Sequence, residues 1–110
     1  MSIPTLVTGD DVTLPVTLKK NGATFVISTT AVVKARLVSM DHARALSDEV
    51  SQSHAVAGAD WANSLVIVAL PGDITGAISG HGNALLEIQV DYSGKTTWFI
   101  PVSIVQGHID

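Results

Sequence analysis

The residues best suited to chemistry in this chain are its four histidines, His42, His54, His81 and His108. Imidazole titrates near neutrality and is a common metal ligand. No two of the four have the helical i, i+4 spacing that offers both rings to one zinc ion. They fall on connections and at the C-terminal end, so they read as solvated loop residues; a site shared across subunits is the arrangement left open to them. Carboxylates pair twice, as Asp10-Asp11 and Asp48-Glu49. Calcium takes six or more oxygens, often from acidic residues spaced along one loop, and neither pair has that spacing. Gly9-Asp10-Asp11 reads instead as a turn before the first long strand.

Other catalytic patterns fail in the same way. Without cysteine the chain has no thiol nucleophile, disulfide or thiolate metal site. It contains neither a Gly-x-Ser-x-Gly elbow nor a Gly-x-x-x-x-Gly-Lys-Ser/Thr loop. Ser79-Gly80-His81-Gly82 looks like a fragment of a phosphate cradle, but such a loop follows a strand and opens a helix. Here it leads into a strand, so it reads as a flexible connection. No catalytic residue, metal or cofactor is assigned, and the expectation is a protein that is not an enzyme.

The elements that would position these residues have a period of two. Val12, Leu14, Val16 and Leu18 alternate with polar residues and Pro15 over Val12 to Lys19, the pattern of a half-buried strand. Pro15 lacks a donor, which places that strand at an edge or Pro15 at a bulge. Asn21-Gly22 then predicts a two-residue hairpin, with Leu18 opposite Phe25 and Val16 opposite Ile27. Val33, Ala35 and Leu37 share one face of the next strand. A long polar connection, 39–58, follows as either a short helix around Asp41–Leu46 or a ragged hairpin. Leu65 to Leu70 is nearly all apolar, as expected of a central strand covered on both faces. Pro71-Gly72 ends it, and Asp73 to Ile78 fits one helical turn.

The last two strands fix their own register. A two-residue Ser93-Gly94 turn would oppose the wrong faces. A three-residue loop, Tyr92-Ser93-Gly94, sets Ile88 against Trp98, Leu86 against Ile100, Ala84 against Val102 and Asp91 against Lys95. Trp98 then points inward. Phe99, Leu85 and Pro101 lie on the outer face as a candidate interface patch, with burial of that patch under 39–58 as the competing expectation. Trp61, ahead of the apolar strand, is a further candidate interface residue, or buried.

The chain has 110 residues, enough for a single domain, 1–110. A hydrophobic share of 46% supports a core and argues against disorder. A formal charge of −4 with no cluster of Lys and Arg argues against a nucleic-acid partner. No apolar run approaches the roughly 18 residues of a membrane helix, and the N-terminus has no signal-peptide pattern. A soluble protein made without export is expected. The strand spacing suggests an all-β, immunoglobulin-like antiparallel sandwich of about seven to eight strands.

Gly9-Asp10-Asp11-Val12-Thr13-Leu14-Pro15-Val16, Lys20-Asn21-Gly22-Ala23, Gly82-Asn83-Ala84-Leu85-Leu86-Glu87-Ile88-Gln89-Val90 and Trp98-Phe99-Ile100-Pro101-Val102-Ser103-Ile104 occur in that order. This succession resembles the immunoglobulin-like N-terminal domain of phage baseplate upper proteins and related small virion proteins of tailed bacteriophages. The resemblance spans most of the chain and consists of alternation and glycine placement. It implies a virion structural protein, assembled in the host cytoplasm, that docks on other virion proteins as a homo-oligomer or in repeated copies. It transfers no catalytic or cofactor residue. Baseplate upper proteins continue into a stalk and a host-facing module, whereas this sequence stops at Asp110, which suits a capsid decoration, neck or baseplate adaptor subunit. The alternative is a receptor- or carbohydrate-binding module of a phage adhesin, with Trp61, Tyr92 or loop histidines as its platform.

Overall fold

The structure is a computed structural model that describes residues 4–76, 78, 82–92 and 94–105. In chain order its strands are β1 (Thr5–Val7), β2 (Val12–Thr17), β3 (Lys19–Lys20), β4 (Ala23–Thr24), β5 (Val32–Val38), β6 (Val50–Gln52), β7 (Leu65–Leu70), β8 (Gly82–Asp91) and β9 (Lys95–Val105). A 3-10 turn, Trp61–Asn63, precedes β7, and one helical turn, α1 (Gly72–Thr75), follows it. The chain is all-β, as its alternation predicts. One curled, mixed sheet has the order β1-β9-β8-β5-β6, with β1 parallel to β9 and the other neighbours antiparallel. β2 pairs with β7, and β3 with β4.

The core lies between the five-stranded sheet and the β2–β7 pair. Val33, Ala35, Leu37, Ala84, Leu86, Ile88, Val90, Val102 and Ile104 come from the sheet, and Val66, Val68 and Leu70 from β7. Full burial of each such aliphatic side chain contributes roughly 1.5–3 kcal/mol, and few aromatics are needed to fill the space. The β8–β9 register is the one the sequence predicts, including Ile88 with Trp98 and Asp91 with Lys95. Gly94 sits at φ +132°, and the carbonyl of Gly94 accepts from the Tyr92 amide at 2.9 Å. Ser93 of that loop lies outside the described residues, as do Met1 to Ile3, Ser79 to His81 and Gln106 to Asp110 of the segments read above.

The first hairpin is shorter than predicted. Asn21 and Gly22 both have positive φ, +54° and +78°, as a two-residue type I′ turn requires, and Lys19 pairs with Thr24. The hairpin ends there. Val16 pairs with Val66 rather than Ile27, and the Leu18 amide donates to the Ser64 carbonyl at 3.0 Å, extending the β2–β7 ladder. The returning strand is drawn away by the turn before β7. Ser64 Oγ donates to the Phe25 carbonyl, and the Ile27 amide donates to the Trp61 carbonyl at 2.9 Å. Ser64 is fully buried and holds φ +68°, a left-handed conformation uncommon for serine.

β7 is covered on both faces, with Ile67 8% exposed on the side away from the core. Its lateral bonds on the side away from β2 are made at its two ends, at Leu65 and Ala69. The Leu18–Ser64 bond sets the parity of the ladder, so Leu65, Ile67 and Ala69 turn their backbone groups away from β2. Asp60 and Leu65 exchange both backbone bonds. At Ala69 the partner is a side chain: the Gln52 carboxamide accepts from the Ala69 amide at 2.8 Å and donates to the Ala69 carbonyl at 3.2 Å. Its Nε2 also donates to the Val50 carbonyl at 2.9 Å. Gln52 therefore joins β6, the edge of the five-stranded sheet, to β7.

The predicted helical turn docks on the Gly9–Asp11 turn. The Asp11 carboxylate accepts from the Gly72 amide at 2.6 Å, and Thr75 Oγ1 donates to the Asp10 carbonyl at 2.8 Å while accepting from the Gly9 amide at 3.1 Å. A Cβ on Gly72 would fall 2.5 Å from the Gly9 carbonyl oxygen, so only glycine permits this approach.

Gln52→Ala strips both Ala69 groups of their partner. Each buried group left unpaired costs about 1–3 kcal/mol, so a marked drop in the urea midpoint is expected with the unfolding slope unchanged.

Candidate interaction surface

The structure scatters the candidate chemical groups. His42 sits on the connection after β5 and His54 on the one after β6, both exposed, while His81 and His108 lie outside the described residues. Among the described residues no three His, Asp or Glu side chains come together as a metal-binding group. Asp10 and Asp11 serve the α1 contact. Asp48 borders a depression of about 230 Å³ with Ala45, Leu46, Ser47, Asp73 and Ile74. A second, of about 250 Å³, lies beside Asp11 to Thr13 and Ala69 to Pro71. Both are open and smaller than the usual ligand pocket.

The 39–58 connection is the ragged hairpin rather than the helix. Val38 bridges to Ala45, and β6 pairs with β5 through Ala35–Val50 to Val33–Gln52. Its first turn is clasped by its own side chains. The Asp41 carboxylate accepts from Ser39 Oγ and from the Ala43 amide at 2.9 Å, and Ser39 Oγ accepts from the Arg44 amide at 3.2 Å. Short polar side chains bonding to backbone two residues on are the usual way such turns are set. The clasp holds His42 at φ +62° and lays its ring on Phe99, with centroids 4.2 Å apart. The Ser39 and Asp41 bonds of this turn are local; the contact with Phe99 is not, and no feature of the sequence marks it.

These contacts redraw the candidate interface. Phe99 is 39% exposed, and Pro101 is exposed beside it. Leu85 is only 7% exposed, although its side chain belongs to the same outer face, between Val38 and Pro101 in register. Leu85 is therefore not part of an exposed patch. Trp61 is 4% exposed and joins the core, with its ring 5.6 Å from that of His54, edge to face. A buried Trp61 offers no platform to a sugar or a partner. Trp98 faces inward, as predicted, but is only half-buried. It packs edge to face on Phe25 at 5.0 Å and donates from Nε1 to the Lys19 carbonyl at 2.9 Å.

Across the outer face Arg36, Glu87 and Phe99 form one row in register. Arg36 Nε bonds Glu87 Oε1 at 2.6 Å. That hydrogen bond, with the nearby carboxylate charge, raises the Arg36 pKa above its ordinary value, so the guanidinium stays charged at any working pH. The surface thus presents an aromatic pair beside an ion pair. No family model, characterised protein or solved structure matches the chain.

The Asp41 carboxyl lies below its ordinary 3.8, first because Ser39 Oγ bonds the charged form and then because the Ala43 amide does. A depressed carboxyl stabilises the clasp at neutral pH, and that contribution is lost as pH falls below 3.8 through the folded value. Amide exchange at Ala43 is expected to quicken over that window, and Asp41→Asn is expected to remove the pH step.

Proposed function

We propose that this chain is a structural subunit of a tailed-phage virion, a capsid decoration, neck or baseplate adaptor protein that acts by docking on neighbouring subunits. The finer fold proposed with it is an immunoglobulin-like sandwich. The order β1-β9-β8-β5-β6, with a parallel β1 at one edge and the β2–β7 pair across the core, supports that reading. The observation that carries the functional reading is the outer face. A rigid sheet there displays Phe99 and Pro101, with His42 fixed over Phe99 by a clasped turn. Ordered aromatic side chains lose little conformational entropy on association and are favoured anchors at interfaces. The resemblance of the sequence to small phage virion proteins supplies the biological setting.

Tailed-phage particles purified from the source culture on a density gradient test this. Peptide mass spectrometry is expected to find the chain in the particle band, at a constant ratio to the major capsid protein. Finding it only among free proteins overturns the proposal. Phe99→Ser is expected to reduce incorporation while leaving the unfolding free energy of the free protein within about 0.5–1.5 kcal/mol of wild type, the worth of an aromatic pair.

A further inference from the structure

β9 has two halves with different surroundings. Its inward residues Val102 and Ile104 are buried at 1% and 5%, beside the stretch where β1 pairs with Ser103 to Val105. Toward its start the inward residues Thr96, Trp98 and Ile100 are only half-buried. Backbone parity explains what this half offers. The Tyr92 amide bonds the Gly94 carbonyl, and the β8–β9 register continues from that pair, so even-numbered residues of β9 bond to β8. Odd-numbered residues face the other way. Ser103 and Val105 meet that rule, since the Ser103 amide donates to the Pro4 carbonyl and the Val105 carbonyl accepts from the Thr8 amide. The same rule turns the amides and carbonyls of Lys95, Thr97 and Phe99 outward, and among the described residues nothing bonds to them.

The other edges are blunted. On β2 the outward positions are Thr13, Pro15 and Thr17, so a proline removes the middle donor. β1 and β6 have three residues each, and β6 is tied to β7 through Gln52. The open part of β9 instead reads Thr96-Thr97-Trp98-Phe99-Ile100, β-branched or aromatic throughout and free of charge. Such an edge is a template for another strand.

We propose that this edge pairs with the same edge of a second copy of the chain, antiparallel about a two-fold axis at Thr97, so that two five-stranded sheets become one. The axis maps the strand onto itself. The two Thr97 residues exchange paired bonds, and Lys95 and Phe99 of each copy exchange theirs with Phe99 and Lys95 of the other. On the outer face each Lys95 lies opposite the second copy's Phe99, a ring exposed enough to take an ammonium over it. That match is made twice by the symmetry, which is the reason to assign a second copy rather than an unrelated strand. Pro101 bounds the paired stretch, because its missing donor also faces this side.

The test is sedimentation of the full chain over about 1 μM to 1 mM, with site-resolved amide exchange. A monomer–dimer equilibrium is expected, with the Lys95, Thr97 and Phe99 amides becoming protected as concentration rises. Thr97→Pro deletes an outward donor and no internal bond, so it is expected to be monomeric with an unchanged circular dichroism spectrum. If that variant does not fold, Lys95→Glu keeps the backbone intact and is expected to weaken the dimer by about tenfold or more. A wild type that stays monomeric throughout, or a dimer that leaves those three amides unprotected, overturns the proposal. This outcome is independent of the virion reading: a dimer absent from particles overturns only that one, and a monomer found in particles only this one.

Discussion

The two layers of this protein meet through a hydrogen-bonding requirement on β7. Pairing the lateral amides and carbonyls of this covered strand stabilises it, because a buried polar group without a partner costs more than a single bond returns. β2 satisfies one side. On the other side two unlike devices take over, the Asp60 backbone at one end and the Gln52 carboxamide at the other. A primary amide carries a donor and an acceptor like those of a peptide unit, so Gln52 continues the ladder where no strand runs. The five-stranded sheet and the β2–β7 pair are thereby held as one curled body around a single core. A glutamate there would lack the donor, and a leucine both groups.

The same economy recurs in the turns. Ser64 accepts an unusual backbone angle and in return anchors Phe25, so the chain leaving the first hairpin is steered to the core. Asp11 and Thr75 supply caps across a long stretch of sequence and seat α1 against Gly9. Ser39 and Asp41 close the turn that lifts His42 to Phe99. In each case a short polar side chain replaces backbone pairing that a longer, more regular element would have supplied. The outer aromatic pair, the principal feature of the docking face, depends on the last of these.

Local information explains which parts of this were legible in the sequence. The β8–β9 register follows from alternation and one glycine, because strands joined by a tight loop have little freedom to slip. The Asn21-Gly22 turn was equally plain, and Pro15 marked its strand as an edge. The extent of that first hairpin was not legible, since Ser64 and Trp61 terminate it from far along the chain. Gln52 is one polar residue in a polar stretch, and only the position of Ala69 gives it meaning. Leu85, Phe99 and Pro101 share a face by alternation, but alternation does not tell which residues of a face are covered, and Leu85 is buried while Phe99 is exposed. Trp61 was ambiguous until its neighbours were known.

The parallel pairing of β1 with β9 sets a timetable for synthesis. Leu6 is made well before Ile104, yet they are partners in the same sheet. β1 therefore leaves the ribosome with no strand to join, and the central position between it and β8 stays vacant until β9 is complete. β5, β6 and the β8–β9 hairpin can form from near neighbours, but closure of the sheet must await β9. Folding dominated by such distant pairings is slow. Leu6, later buried against the core, spends that interval without its partner strand, so β1 is the part of the described fold that waits longest for its pairing.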